Sequence, residues 1–210
     1  MEILNIPNQL LNGSLTPLIL SKVDTIVLHH MAHPTADVKE VERWHVKGNG
    51  WCAIGYNYWI GFDGKIYKGR GLNKGAAVEN HNSHIISIGF QGDYSQKSAS
   101  MPDSQFNSGI DLILWLKSKI PGAKSIVGHK HFGGTICPGQ YFPLEEMKTL
   151  KKRDVFMYNT LEECPSWAQP TIKKLMGKGY LKGNEKGELE LNDIILRILV
   201  INDRAGIYDL

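Results

Sequence analysis

Thr25-Ile-Val-Leu-His-His30 is a short β-rich apolar run that ends in two histidines. It is too short for a globular helix and rich in β-branched residues, so it reads as a buried strand. A second run of the same texture, Ile85-Ile-Ser-Ile-Gly-Phe90, reads as another central strand. Between them, Asp37 with Glu40 three residues later forms a capping-box pattern. That opens a helix with Val38, Val41 and Trp44 on one face, stopped by Gly48-Asn-Gly50. Tyr56-Asn-Tyr-Trp-Ile60 and Lys65-Ile-Tyr67 flank Phe62-Asp-Gly-Lys65, whose Asp-Gly pair signals a hairpin. Beyond the second strand, Met101-Pro-Asp103 caps a helix with Phe106, Ile110, Ile113, Leu114 and Leu116 as its inner stripe, ending near Pro121. Ser125-Ile-Val127 is a last short strand running into Gly128-His-Lys-His131.

Strands alternating with helices predict an α/β fold with a mixed central β-sheet flanked by helices. That domain is expected over residues 1–150. A polar, basic stretch from Lys148 to Asp154 then precedes a different texture. Helix-like segments around Ser166–Lys178 and Asn192–Asp203 flank the glycine-rich Gly177–Gly187. Residues 155–210 are therefore expected to form a small helical unit.

The chain has 210 residues, 42% of them apolar, which is enough for a sizeable core. No run of about 18 apolar residues occurs, so no membrane insertion is expected. The net charge of +3 is modest, and basic and acidic residues nearly balance in residues 151–210. A basic arm for nucleic acid is therefore not expected. The opening Met-Glu-Ile-Leu-Asn-Ile-Pro-Asn lacks a basic segment followed by an apolar core, so no secretory signal is expected. Cys52, Cys137 and Cys164 are too few and too scattered for a disulfide framework.

Three groups of residues carry chemistry. They are His29-His30 at a strand end, His129 with His131 on the loop after a strand, and Cys137 in Thr135-Ile-Cys-Pro-Gly139. Successive strand side chains point to opposite faces, so His29 and His30 do not easily serve one site. One histidine from each pair together with the cysteine would make a three-ligand zinc site. Such a site keeps one position open for water, as catalytic zinc requires, whereas a closed structural site normally has four protein ligands. Taken singly, each of these residues has a plainer reading, as a buried core residue or an exposed loop histidine.

Val27-Leu-His-His-Met-Ala32, Gly55-Tyr-Asn-Tyr58, Ser87-Ile-Gly89 and Gly128-His through Cys-Pro-Gly139 occur in an order that resembles one family. That family is the type 2 N-acetylmuramoyl-L-alanine amidases, which includes phage lysozyme amidases and the peptidoglycan recognition proteins. The resemblance covers roughly residues 22–150. It implies zinc-dependent hydrolysis of the amide bond between N-acetylmuramic acid and L-alanine in peptidoglycan. It places the zinc ligands on His29, His129 and Cys137, and the catalytic tyrosine on Tyr56. His30 is then a packing residue, or a support behind the ligands, on the other strand face, and His131 matches no ligand. Two before the cysteine, where some phage members carry lysine and the recognition proteins threonine, stands Thr135; the resemblance makes it a second catalytic residue, with a weaker part in stabilising an oxyanion because its hydroxyl donates a hydrogen bond but supplies no charge. Many members also carry a Gly-x-His before the Ser-Ile-Gly strand, but Gly75-Ala-Ala77 lacks it. His81 or His84 is expected near the same groove in its place, and His81, Asn82 and Trp51 are the expected groove residues.

The tail resembles a single S-layer-homology-like or wall-binding module. The alternative is a helical hairpin that packs on the first unit or pairs two chains. An amidase with such a tail resembles a phage endolysin, made in the host cytoplasm and acting on the wall after release. A bacterial autolysin and a non-catalytic peptidoglycan-binding protein remain the rivals. Retention of Cys137, which non-catalytic relatives commonly lose, favours the enzyme.

Overall fold

The computed structural model describes residues 1–153 and 157–209. Asp154, Val155 and Leu210, the end of the expected basic stretch and the two limits of the expected tail, lie outside the described residues. The chain divides into two compact units, Met1–Arg153 and Asp154–Leu210.

The first unit is built on a six-stranded mixed sheet. In chain order its elements are β1 (Ile3–Asn5), β2 (Thr25–His30), α1 (Val38–Arg43), β3 (Tyr58–Ile60), β4 (Ile66–Lys68), β5 (Ile85–Phe90), α2 (Asp103–Lys119), β6 (Ser125–Gly128) and α3 (Leu144–Lys148). The strand order is β1-β4-β3-β5-β2-β6. Among the described strands of this sheet, only the β3–β4 hairpin, closed through Asp63-Gly64, is antiparallel; the other strand pairs are parallel. All six residues of β2 and all six of β5 are buried, as expected of apolar strands covered on both faces.

The alternation along β2 sorts its side chains into layers. Ile26 and Leu28 join Ile86, Ile88 and Phe90 beneath α2, whose Phe106, Ile110, Ile113 and Leu116 complete the main core. Val27 faces the other layer, with Val78 and Ile85. His29 shares that parity. Nearby on this side, Val38 and Val41 of α1 pack with Ile54 and Trp59.

α1 opens on the expected capping box, with Asp37 accepting from the Lys39 and Glu40 amides and the Glu40 carboxylate accepting from the Asp37 amide. Two side chains depart from the expected stripes. Trp44 is exposed and stacks edge-on against His33, because at 100° per residue it lies about a quarter turn from the middle of the Val38–Val41 face; a π turn over Trp44–Gly48 follows it. Leu114 of α2 is likewise exposed, and Leu112 is buried in its place.

β1 and α3 are the elements not expected from the pattern; three and five residues are too short to show a period.

In the second unit, α4 (Gln169–Gly177) and α5 (Asp193–Arg204) carry a separate small core of Cys164, Ala168, Ile172, Leu189, Leu191, Leu196 and Val200. Asn192 caps α5 by accepting from the Ile195 amide. Lys174 of α4 is ion-paired to Asp203 of α5 at 2.7 Å. No helix among the described residues is long and apolar enough to cross a membrane.

Candidate metal centre

Parallel strands put their carboxyl ends at one edge of the sheet, and the chemistry-bearing residues of this chain gather there. β2 ends in His29-His30, and β6 beside it runs into a 3₁₀ turn that begins at His129. The loop after this turn folds back over the strand end and brings Cys137 to the same place. Two contacts hold it: the Lys130 amide donates to the Cys137 carbonyl at 2.7 Å, and the Cys137 amide donates to the Thr135 hydroxyl oxygen at 3.1 Å. Gly128 makes room for the fold-back, since a Cβ there would lie 2.5 Å from Pro138 Cδ.

The result is a compact set of three donors. Ligand atoms of His29, His129 and Cys137 all lie within 4.8 Å of one another. Cys137 Sγ is 3.7 Å from His29 Nδ1, and the two imidazole rings are 4.6 Å apart centre to centre. His29 is 2% exposed, and its Nε2 is a buried polar atom with no hydrogen-bond partner. An orphaned imidazole nitrogen costs free energy unless something else engages it.

The electrostatics point the same way. Burial drives the His29 imidazole well below its ordinary pKa, aided by His129 and His30. Burial also lowers His129 and pushes the Cys137 thiol up to about 11. The set is thus two neutral imidazoles and a thiol, poised to lose one proton to a divalent cation. Two nitrogens and one sulfur suit a borderline-soft metal.

Tyr56 closes one wall. Its ring lies 5.3 Å from that of His29, and burial raises its hydroxyl above the ordinary tyrosine pKa, so it stays protonated. Gly89 permits this placement. It pairs with His29 across the β2–β5 ladder, and a Cβ there would come within 2.9 Å of Tyr56 Cδ2. The Ser-Ile-Gly strand therefore needs its glycine beneath the tyrosine. The next residue, Asn57, is fully buried: it donates to the Gly71 and Asn73 carbonyls and accepts from the Ser87 amide and hydroxyl. It locks the backbone that carries Tyr56.

Sequence reasoning missed His45. Its Nδ1 accepts from the Gly55 amide at 3.1 Å, and its ring packs against Trp51 and Tyr56 at 4.7 and 5.6 Å. Burial first, and then the Arg70 cation, lowers its pKa to about 4, so it is a neutral acceptor. The only available signal was its place just before the Gly48-Asn-Gly50 stop, where the helix loosens into the π turn.

The remaining expected residues lie as follows. His30 faces the opposite layer, where its Nδ1 accepts from the Tyr94 amide at 3.0 Å. His131 is exposed against Phe132. Thr135 sits beside Cys137 on a hollow of about 350 Å³ shared with Ser95, Lys130, Ile136 and Gln140. Trp51 stacks on His45. His81 packs on Phe132 at 4.4 Å and hydrogen-bonds His84 at 3.1 Å, which in turn reaches Asp24 at 3.2 Å. Asp24 and His84 immediately precede β2 and β5, so this chain of contacts runs from the amino edge of the sheet to Phe132, in the turn that begins at His129. The Asn82 side-chain oxygen accepts from the Ala77 and Val78 amides and closes that loop.

The site is thus two imidazoles and a thiol at the carboxyl edge of a mixed sheet, walled on one side by a tyrosine. The chain belongs to the N-acetylmuramoyl-L-alanine amidase family (Amidase_2), whose model matches residues 20–140. Peptidoglycan-recognition protein SC2 of Drosophila simulans is 32% identical over 130 residues, spanning 58% of this chain and 71% of that protein. Among solved structures, the endolysin amidase LysCS from Clostridium intestinale aligns with a TM-score of 0.63 at 27% identity, covering 70% of this chain and 93% of that one. The Ph2119 endolysin of a Thermus scotoductus bacteriophage aligns with a TM-score of 0.56 at 26% identity, covering 72% of this chain and 100% of that one.

Proposed function

We propose that this chain is a zinc-dependent endolysin that hydrolyses the amide between N-acetylmuramic acid and L-alanine of peptidoglycan. The observation that carries the reading is the buried, unpartnered His29 Nε2 within the His29–His129–Cys137 cluster, with a protonated tyrosine beside it. His29, His129 and Cys137 would hold the metal, Cys137 as thiolate. When bound, zinc supplies Lewis acidity, the property by which it polarises carbonyls and brings the pKa of water down to about 7.

The chain's own groups do the rest. Tyr56 keeps its proton and so offers a hydrogen bond to the oxygen that gains negative charge as the amide is attacked. Thr135 already accepts from the Cys137 amide through its oxygen, which leaves its own proton to donate to the same oxygen. It brings no charge, so its share is the smaller one. His45 holds the Gly55 amide, and with it the entry into Tyr56, without competing for a proton at neutral pH. The relatives named as recognition proteins raise a second outcome, binding without cleavage, which the retained thiol of Cys137 disfavours.

The test is digestion of purified sacculi with mass spectrometry of the released peptides, alongside metal analysis of the protein. Stem peptides released with a free N-terminal alanine, about one zinc per chain, and loss of activity with chelator are expected. Sacculi bound but left uncut by zinc-loaded protein would replace the enzyme with a binding protein.

A further inference from the structure

α5 is apolar on two sides. Leu196 and Val200 face the small core, while Ile194, Ile198 and Ile201 stand 48%, 52% and 63% exposed on the far side. Their spacing of four and then three residues makes one straight stripe along the helix. A contiguous apolar face left exposed in this way marks an interaction surface. Isoleucine offers no ring face or hydrogen bond to a sugar, so the stripe does not read as a glycan contact. Such a stripe is the kind of seam along which two helices pack.

We infer that α5 pairs with α5 of a second copy of this chain, antiparallel, about a two-fold axis near Ile198. The charges select both partner and direction. At 100° per residue, Asp193, Arg197 and Arg204 all lie on one flank of the stripe. In an antiparallel pair like flank meets like flank, so Asp193 at the start of one helix faces Arg204 at the end of the other, twice. A parallel pair would bring that flank against Ile195 and Asn202 and leave the charges unmatched. Arg204 has no carboxylate partner among the described residues. Arg197 is drawn aside over the Trp167 ring at 5.6 Å, which keeps its charge off the seam. Beside Ile201 and Arg204 a hollow of about 530 Å³, walled also by Trp167, Arg197 and Val200, lies where the partner's first turn would enter. The operation is isologous: one patch serves both copies.

The seam is short beside a standard interface, so the dimer should dissociate on dilution, with a Kd on the order of 1–100 µM. Sedimentation equilibrium on the full chain, from a few micromolar to several hundred, tests it. Ile198→Glu places a charge on the axis and should weaken association at least tenfold. Arg204→Glu sets two carboxylates opposite each other and should weaken it several-fold, and adding Asp193→Lys should restore it. Circular dichroism establishes that each variant is folded, and both principal sites are exposed. A chain that stays monomeric at several hundred micromolar overturns the inference, whether the stripe is covered by the chain's own first unit or by wall polymer. A dimer indifferent to Ile198→Glu also overturns it. A dimer that responds to Ile198→Glu but not to Arg204→Glu overturns the antiparallel arrangement.

Discussion

The strand pair β2 and β5 carries imidazoles at both ends, and the two ends are opposites. At the carboxyl edge His29 is buried, with one ring nitrogen unpartnered and a thiol and a second imidazole beside it. At the amino edge His84 is partly exposed and spends both nitrogens, one on His81 and one on Asp24. Residue type is the same at the two edges; satisfaction and burial are not. A histidine whose donors and acceptors are already used gives up hydrogen bonds to take a ligand, whereas one held dry and unpartnered gains by it. By that criterion the carboxyl edge is the one suited to take a ligand.

Loss of a donor from that edge should have the largest effect. Cys137→Ser and His129→Ala should each abolish hydrolysis and most metal binding while the sheet stays folded. Metal analysis and circular dichroism on the same samples check it. Near-normal zinc and turnover in either variant would dissolve the cluster as a site.

Next comes Tyr56. Tyr56→Phe deletes one hydroxyl and almost no volume, so zinc content and stability should hold while turnover falls about 10²–10³-fold. Gly89→Ala sharpens the point from below. The added methyl would crowd the Tyr56 ring and Met31 Cε, at 2.9 and 3.1 Å, and displace the ring without deleting its hydroxyl. Overpacking of this kind costs about 1–3 kcal/mol, and a shifted tyrosine should lose about tenfold in turnover. Full activity in both variants would return Tyr56 to a packing role.

Acid should act on the same edge. His29, His129 and His45 are all held neutral below the ordinary histidine pKa, chiefly by burial. Unfolded, each takes up a proton near pH 6.5, so the unfolded chain binds more protons than the folded one. The stability tied to them is complete above about pH 6.5 and falls as pH drops; for His45 the loss continues to about pH 4. Melting temperatures of chelator-treated protein between pH 7.5 and 4.5 should show this decline. His45→Asn keeps an acceptor for the Gly55 amide without a titrating group and should flatten part of it. Parallel profiles would mean that His45 does not titrate with folding.

The elements most visible in sequence were those with a long period or a short, strong signal. β2, β5 and α2 announce themselves by composition, α1 by its capping box, the hairpin by Asp-Gly. The pairing of β2 with β6, which sets His29 beside His129, is a long-range fact that no local pattern carries. Resemblance to the family supplied it instead, through the spacing from Gly128-His to Cys-Pro-Gly139. What neither reached was tertiary. Nothing local says that the ring of His45 will turn in beneath Gly55, because that depends on the π turn after α1. Nor does a loop sequence reveal whether His81 and Asn82 point into a groove or are spent on their own neighbours.

That last pair gives the smallest effect and the finest test. Asn82 accepts from the Ala77 and Val78 amides, so Asn82→Ala leaves two partly buried N–H groups without their acceptor. An unmet buried donor costs about 1–3 kcal/mol, so the melting temperature should drop by a few degrees. Turnover per folded molecule should fall far less than in Tyr56→Phe, since the loop meets the wall of the cluster through backbone, the Ala76 amide donating to the Gly55 carbonyl at 2.8 Å, a bond that does not use the Asn82 side chain. His81→Ala removes a ring that rests on Phe132 and bonds only to His84. It should cost less stability than Asn82→Ala and leave turnover and KM within about twofold, the range expected of a surface site away from the chemistry. A tenfold rise in KM at unchanged stability would mean that the imidazole touches substrate after all. The amino edge would then be a second wall of the groove, and the contrast between the two ends of the strands would fail.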